Sequence, residues 1–394
     1  MKSFIITGVQ MKNKGSQAML FSTINGLKEK YPDCNITCFT LDYNDLFNEK
    51  YYNFELLPWD TRTKFLFETR LYKIKPIFLL HKFRNLKNYI CKIEGAIINC
   101  DAIFDSSGYV LGSGWDIMIA NSLLQTTKIA KRFDKEIFIM PQSIGPFDWK
   151  RKNNWFVKKI YKVLPYAKCI FAREKEGYDL LCEVGLENCH HSLDLVLRDK
   201  NFQKSNYIRS GILNDFKKFD NYVGIVINEN IFRRSDNKIK IYNLYENCIN
   251  ELIKNNISVL LIKTSSKDTD IIKEFGEKYQ ENKYVNVVLD DYSSIELNDL
   301  ISRMKFIISS RYHAIIFALR SSIPVISIGW SNKYTELMGI FGLGNFCFDF
   351  NDIDICRLNN SIHDMLIEYS NYSSAIQYII NDIHENSVFD EIDF

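Results

Sequence analysis

Short apolar runs alternate with longer amphipathic stretches from one end of the chain to the other. The runs are rich in Ile, Val and Phe and are bounded by Gly, Asn, Asp and Ser, so they read as strands buried on both faces. In the first half they predict strands over 3–8, 35–41, 102–105, 136–140, 169–172 and around 192–195. Apolar positions at helical spacing predict helices over 16–31, 115–133, 152–164 and 174–184. A polar stretch over 198–220 has few apolar positions in register. The alternation then restarts, with strands over 222–228, 258–263, 285–289, 306–309 and 325–329. Helices fit 244–255, 268–279, 295–304, 313–320 and 333–341.

Strands that alternate with helices imply parallel sheets. Two such series imply an α/β chain with two Rossmann-like, doubly wound domains facing a central cleft. The expected division is 1–200, a linker over 201–220, 221–375, and an acidic tail over 376–394. Ligands of such folds sit beyond the carboxyl ends of the strands.

Composition changes this picture in few respects. With 394 residues, 46% apolar and 25% charged, the chain is ordinary globular material. A net charge of +2 supplies no overall field that selects nucleic acid. The balance is uneven, however. Residues 60–90 hold eight basic side chains against Asp60 and Glu68, interleaved with Phe, Leu and Ile. That pattern suits a peripheral contact with an anionic membrane, or a pair of helices that bury Phe and Leu and keep Lys and Arg in water. No apolar run is long enough to span a bilayer, and no signal peptide is visible at the N-terminus. Ten cysteines without a CxxC pair suggest free, buried thiols in a reducing cytoplasm, at most peripheral to the inner face of the plasma membrane. No metal-ligand spacing appears.

The sharpest chemical segment is Phe306-Ile-Ile-Ser-Ser-Arg-Tyr-His-Ala314, an apolar strand running straight into a helix. A helix start attracts anions, and Arg311 adds a fork of donors that matches a carboxylate or phosphate. His313 titrates near neutrality and can move protons; Ser310 lies at the same junction. The first half repeats the arrangement at Ile170-Phe-Ala-Arg-Glu-Lys-Glu176. There Arg173 is a cation at a helix start, which is unfavourable unless an anion joins it. Three further loops follow strands of the first half. One is Met11-Lys-Asn-Lys-Gly-Ser-Gln17, where Gly15 permits a tight turn, Ser16 can cap the helix and Gln17 follows. The second, with Ser107 and Gly108, lets a ligand approach the backbone. The third is Pro141-Gln-Ser-Ile-Gly-Pro-Phe147, with Gln142 and Ser143. Lys333 and Tyr334, in the loop after 325–329, complete the candidates. Each junction also has a plain reading as a capped helix with solvated charge.

Taken in order, Asn13-Lys-Gly-Ser-Gln-Ala18, Pro141-Gln-Ser-Ile-Gly-Pro-Phe147, Ala172-Arg-Glu-Lys-Glu176, Ser310-Arg-Tyr-His-Ala314 and Ser331-Asn-Lys-Tyr334 resemble the polysaccharide pyruvyl transferase family. The resemblance runs over about 1–349. It implies a glycosyltransferase-B-like fold and transfer of the pyruvyl unit of phosphoenolpyruvate onto a sugar as a cyclic ketal, with no cofactor. The partners it implies are phosphoenolpyruvate and a saccharide of a cell-surface polysaccharide or its lipid-linked precursor, the acceptor on the N-terminal domain and the donor on the C-terminal one. It associates the positions of Arg173, Arg311 and His313 with the donor and with proton transfer. Two positions depart from the family: Ser16, where an acidic residue is common, and Ser106-Ser107-Gly108, where three glycines are common. Both bear on the acceptor side. A sugar-nucleotide-dependent glycosyltransferase and a non-catalytic carbohydrate-binding protein of the same assembly system are the alternatives.

Overall fold

Seven parallel strands organise the first unit of the computed structural model, which describes residues 1–149, 154–200, 202–209 and 214–392. They are β1 (Ser3–Val9), β2 (Asn35–Thr40), β3 (Glu55–Pro58), β4 (Ala102–Asp105), β5 (Glu136–Gln142), β6 (Cys169–Ala172) and β7 (Cys189–His191). Their order is β3-β2-β1-β4-β5-β6-β7, so the winding reverses between β1 and β4. The helices are α1 (Lys14–Lys30), α2 (Thr61–Thr69), α3 (Lys87–Asn99), α4 (Ile117–Arg132), α5 (Asn154–Val163), α6 (Lys175–Glu183) and α7 (Leu195–Arg198). The second unit has six parallel strands in the order β10-β9-β8-β11-β12-β13. These are β8 (Val223–Val226), β9 (Val259–Ile262), β10 (Val285–Val288), β11 (Phe306–Ser309), β12 (Val325–Gly329) and β13 (Cys347–Asp349). With them go α8 (Glu229–Arg234), α9 (Lys238–Lys254), α10 (Thr269–Lys278), α11 (Ser294–Ser302), α12 (Tyr312–Arg320), α13 (Asn332–Ile340) and α14 (Ile355–Ile383). Here the winding reverses between β8 and β11.

Central strands such as β4, β8 and β11 are buried along their whole length, which is why they read as unbroken apolar runs. The strand expected around 192–195 lies instead at Cys189–His191. The Asp194 carboxylate accepts from the Val196 amide at 2.9 Å and so starts α7 there. β3 and β13 were not anticipated; both are short edge strands, and β3 closes on Pro58, which an edge tolerates. The start of the helix expected over 152–164 and residues 201 and 210–213 of the expected linker lie outside the described residues.

Two expectations about domain limits need correction. The chain divides into Met1–Gly211 with Ser387–Phe394, and Ile212–Asn386. Residues 202–209 are not loose: the Tyr207 ring is fully buried and stacks on Phe21 at 4.2 Å. Residues 376–394 are not a separate tail. The long α14 buries Ile376 and Ile380, and the chain then returns to the first unit. Phe389 docks on α1 where a Cβ at Gly26 would stand 2.0 Å from its ring, so only glycine admits it. Among the cysteines, Cys91, Cys182 and Cys356 are exposed rather than buried.

Lys64 departs from the expectation of a solvated basic stretch. It faces inward from α2, and its Nζ donates to the Ser122 hydroxyl and carbonyl of α4. Burial pulls its pKa down to about 8 against the opposing pull of Asp105. Unfolded, the same lysine titrates near ~10.4, so between the two values the unfolded chain binds more protons. Stability is therefore expected to rise with pH across that window, by about 3 kcal/mol for this group alone. Urea midpoints at about pH 7 and pH 10 should differ less in Lys64→Met than in the wild type. Equal pH slopes would place Lys64 in solvent.

Candidate functional site

The carboxyl edge of the second sheet gathers the sharpest candidates. β11 ends at Ser309, and Ser310 follows fully buried. The Ser310 hydroxyl accepts from the Asn228 amide at 2.9 Å and from the Tyr245 hydroxyl at 2.7 Å. Its carbonyl accepts from Asn228 Nδ2 and from the Tyr334 hydroxyl, each at 3.1 Å. Ser310 thus sews the ends of β8 and β11 together at the reversal of winding. Its hydroxyl and carbonyl are both engaged within the protein. Tyr334 is likewise buried, and burial raises the pKa of its hydroxyl. Gly329 is needed beneath it, because a Cβ there would lie 2.5 Å from the ring.

Arg311 is the N-cap of α12 and keeps its side chain 19% exposed. Its Nε donates to Asp268 Oδ2 at 2.9 Å, and Nη2 pairs with Oδ1 of the same carboxylate. Nη1 has no partner among the described residues. One edge of the guanidinium is therefore anchored and the other is open. Asp268 is fully buried and also accepts from the Glu229 amide at 3.0 Å, so it ties together the loops after β8, β9 and β11. Burial pushes the Asp268 carboxyl upward, and the charge of Arg311 pulls it back. Sequence reading missed Asp268. Its place just beyond a predicted strand end was the available signal.

The first turn of α12 carries no acidic residue, so the partial positive charge of the helix start is not offset by a carboxylate of its own turn. His313, half-buried, is the second residue of that helix and stands edge-on to Tyr312 at 5.7 Å. Lys333 Nζ lies 4.9 Å over the Tyr312 ring, and Tyr312 meets Tyr334 edge-on at 5.7 Å. Arg311, His313, Lys333 and Tyr334 are thus brought together around two helix starts.

The first unit assembles a second group. Arg173 follows β6 and is buried. Its Nη1 donates to Asp194 at 2.5 Å, Nη2 to the Ser143 hydroxyl at 2.6 Å, and Nε to Glu174 at 3.2 Å. The Ser143 hydroxyl donates in turn to Glu174 at 2.8 Å. Arg173 was expected to await an external anion; its counter-charges are instead internal. Asp194 was missed because the sequence placed a strand there. The Ser143 amide donates to the Gly108 carbonyl at 2.9 Å, and the Ser107 hydroxyl donates to Asp105 and reaches Gln142 Oε1 at 3.4 Å. Ser107, Gly108, Gln142, Ser143 and Arg173 therefore form one connected edge. Gly8 lets β1 join it: its φ is +85°, and a Cβ would lie 2.7 Å from that of Ser107.

The loop before α1 differs from expectation. Asn13, not Ser16, caps the helix by accepting from the Gly15 and Ser16 amides. Gly15 is thus helical rather than a turn residue. The Ser16 hydroxyl accepts from the Gln10 amide at 3.0 Å, and Gln17 is buried. Buried Asp45, unmarked in a polar run, accepts from the Met11 amide at 3.2 Å and fixes this loop. At the ends of β1, β2 and β3 a cleft of about 470 Å³ is lined by Gln10, Lys12, Asp42, Tyr43, Asp60 and Arg62.

A family model described as polysaccharide pyruvyl transferase matches residues 13–332. No curated protein matches the chain by sequence. Solved structures with the same fold include the UDP-GlcNAc 2-epimerase of Methanocaldococcus jannaschii, at 13% identity and a TM-score of 0.60 over 98% of this chain and 100% of that one. A putative UDP-N-acetylglucosamine 2-epimerase of Listeria monocytogenes has 10% identity and a TM-score of 0.61 over 100% of this chain and 98% of that one. The UDP-GlcNAc 2-epimerase of Neisseria meningitidis has 10% identity and a TM-score of 0.55, covering 98% and 100%. At these identities the likeness is one of fold: two α/β units of the glycosyltransferase-B-like type.

Proposed function

The chain belongs to the polysaccharide pyruvyl transferase family, and from that premise we propose that it moves the pyruvyl unit of phosphoenolpyruvate onto two hydroxyls of a saccharide as a cyclic ketal. One observation carries the donor assignment: the open edge of Arg311 at an acid-free helix start, with His313 two residues on in the first turn. Phosphoenolpyruvate presents a carboxylate and a phosphate, which a guanidinium and helix N–H groups match. Lys333 adds positive charge nearby. The saccharide is assigned to the first unit, with the cleft that holds Tyr43 among paired acids and bases as its seat.

In this reading His313 delivers a proton to the methylene carbon of the donor, and positive charge develops at C2. One sugar hydroxyl adds there and gives up its proton, which restores the acid. The C–O bond to phosphate then breaks, the second hydroxyl adds to C2, and its proton leaves with the phosphate. Donor plus diol thus become ketal plus inorganic phosphate, with charge and protons balanced. Arg173 acts at one remove, by holding Ser143 and the loop after β5.

Phosphate release from phosphoenolpyruvate across a panel of saccharide acceptors, with mass analysis of the product, tests the proposal. A product heavier by one pyruvate ketal is expected. Turnover of a nucleotide sugar with none of phosphoenolpyruvate would overturn it. Arg311→Lys should raise the donor KM by about tenfold or more, because an ammonium cannot hold Asp268 and present a second edge at once. An unchanged KM would remove Arg311 from the donor site.

A further inference from the structure

Leu79 stands 85% exposed, at the tip of a segment that is otherwise firmly anchored. Between α2 and α3 the chain makes three short 3₁₀ turns, Leu71–Lys73, Lys75–Leu79 and His81–Leu86. Tyr72 stacks on Phe67 at 4.3 Å and Phe83 on Phe65 at 6.3 Å, which holds the turns against α2. What they hold outward is apolar: Ile74, Leu79 and Leu80 are each half exposed or more. Around these tips, no acidic residue occurs between Glu68 and Glu94, whereas Lys73, Lys75, Lys82 and Arg84 are all exposed.

A second basic surface adjoins the first. α4 and α5 form a groove of about 490 Å³ that carries Lys128, Lys131, Lys158, Lys159 and Lys162, with Trp155 57% exposed beside it. Lys158 and Lys162 have no ion-pair partner among the described residues. Lys159 is held below the usual lysine range by burial and by the like charge of Lys128. Glu68 offsets part of this charge, and the remaining like charges repel one another. The two surfaces are physically joined through α2. Glu68 takes Lys128 at 3.1 Å, and Arg132 of α4 donates to the Phe67 carbonyl at 2.6 Å.

We propose that the 71–86 turns and the lysine groove dock the first unit onto an anionic lipid bilayer. Aliphatic tips enter the interface, Trp155 sits at headgroup level, and the lysines meet anionic headgroups. The exposed leucines decide against a nucleic acid, which would be met by stacking aromatics and phosphate contacts rather than by aliphatic tips. Docking goes beyond the proposed reaction and is readable without turnover.

Sedimentation of the full chain with vesicles of phosphatidylcholine alone, or with about 30 mol% phosphatidylserine, is the test. Binding to the anionic vesicles only is expected, weakening as salt is raised. A double variant, Leu79→Ser with Leu80→Ser, should lose about tenfold or more in partitioning with an unchanged unfolding temperature. Lys158→Gln with Lys162→Gln should lose several-fold. Absence of sedimentation, equal binding to neutral vesicles, or full binding by the leucine variant would overturn the proposal. So would tight binding to heparin or RNA that is indifferent to the leucines.

Discussion

Replacement of His313 by alanine is expected to lower phosphate release by about 10²- to 10⁴-fold while phosphoenolpyruvate still binds. The separation is expected because the groups assigned to the donor's anions are held independently of the imidazole. Arg311 is anchored on Asp268, and the start of α12 is set by Arg311 and Ser309 rather than by His313. Alanine is a good helix former, so the first turn of α12 persists. Only the proton donor is lost. Single-turnover phosphate release, set beside calorimetric titration with phosphoenolpyruvate, separates the two quantities. Full turnover in His313→Ala would end its assignment as the acid, and parallel loss of binding would make it a donor ligand instead.

Arg173→Ala is expected to destabilise the first unit by about 3–5 kcal/mol. Asp194 is completely buried and Glu174 is 14% exposed, and the substitution removes the guanidinium that both carboxylates contact. Removing the carboxylate as well should recover much of the loss, since a buried ion pair replaced by apolar groups of similar volume is often neutral. Arg173→Met with Asp194→Leu is the matching pair. Urea-unfolding midpoints at constant slope measure both variants. A loss below about 1 kcal/mol would mean that the guanidinium is solvated, as surface pairs are. Because Arg173 also holds Ser143, the double variant should regain stability without regaining activity.

Residues 60–90 show how local pattern and tertiary context divide the work. Alternating cations and aromatics suited either a membrane contact or a pair of buried helices, and the side chains divide between the interior and solvent. Phe67, Phe83 and Lys64 turn inward, and Leu79 and Leu80 turn out. Composition could not assign Leu79, Leu80 and Phe83, because 3₁₀ turns do not repeat with the period of either a helix or a strand. Trp155 and the lysines of α5 were not read with them at all, since about seventy residues of sequence intervene.

Two parallel α/β sheets were legible because a strand covered on both faces must be apolar throughout, and that requirement is local. The same logic marked the strand ends, and hence the junctions that carry Arg311, His313 and Arg173. What the chain order left open was the partner of each charge. Asp268 lies 43 positions from Arg311, and Asp194 lies 21 from Arg173. Each pair meets because its strands end at one sheet edge, β6 beside β7 and β9 one strand removed from β11. Strand order therefore decided that Arg311 keeps an open edge and that Arg173 does not. Sequence alone placed the two arginines at strand ends; the tertiary structure alone determined which of them is left with charge to offer.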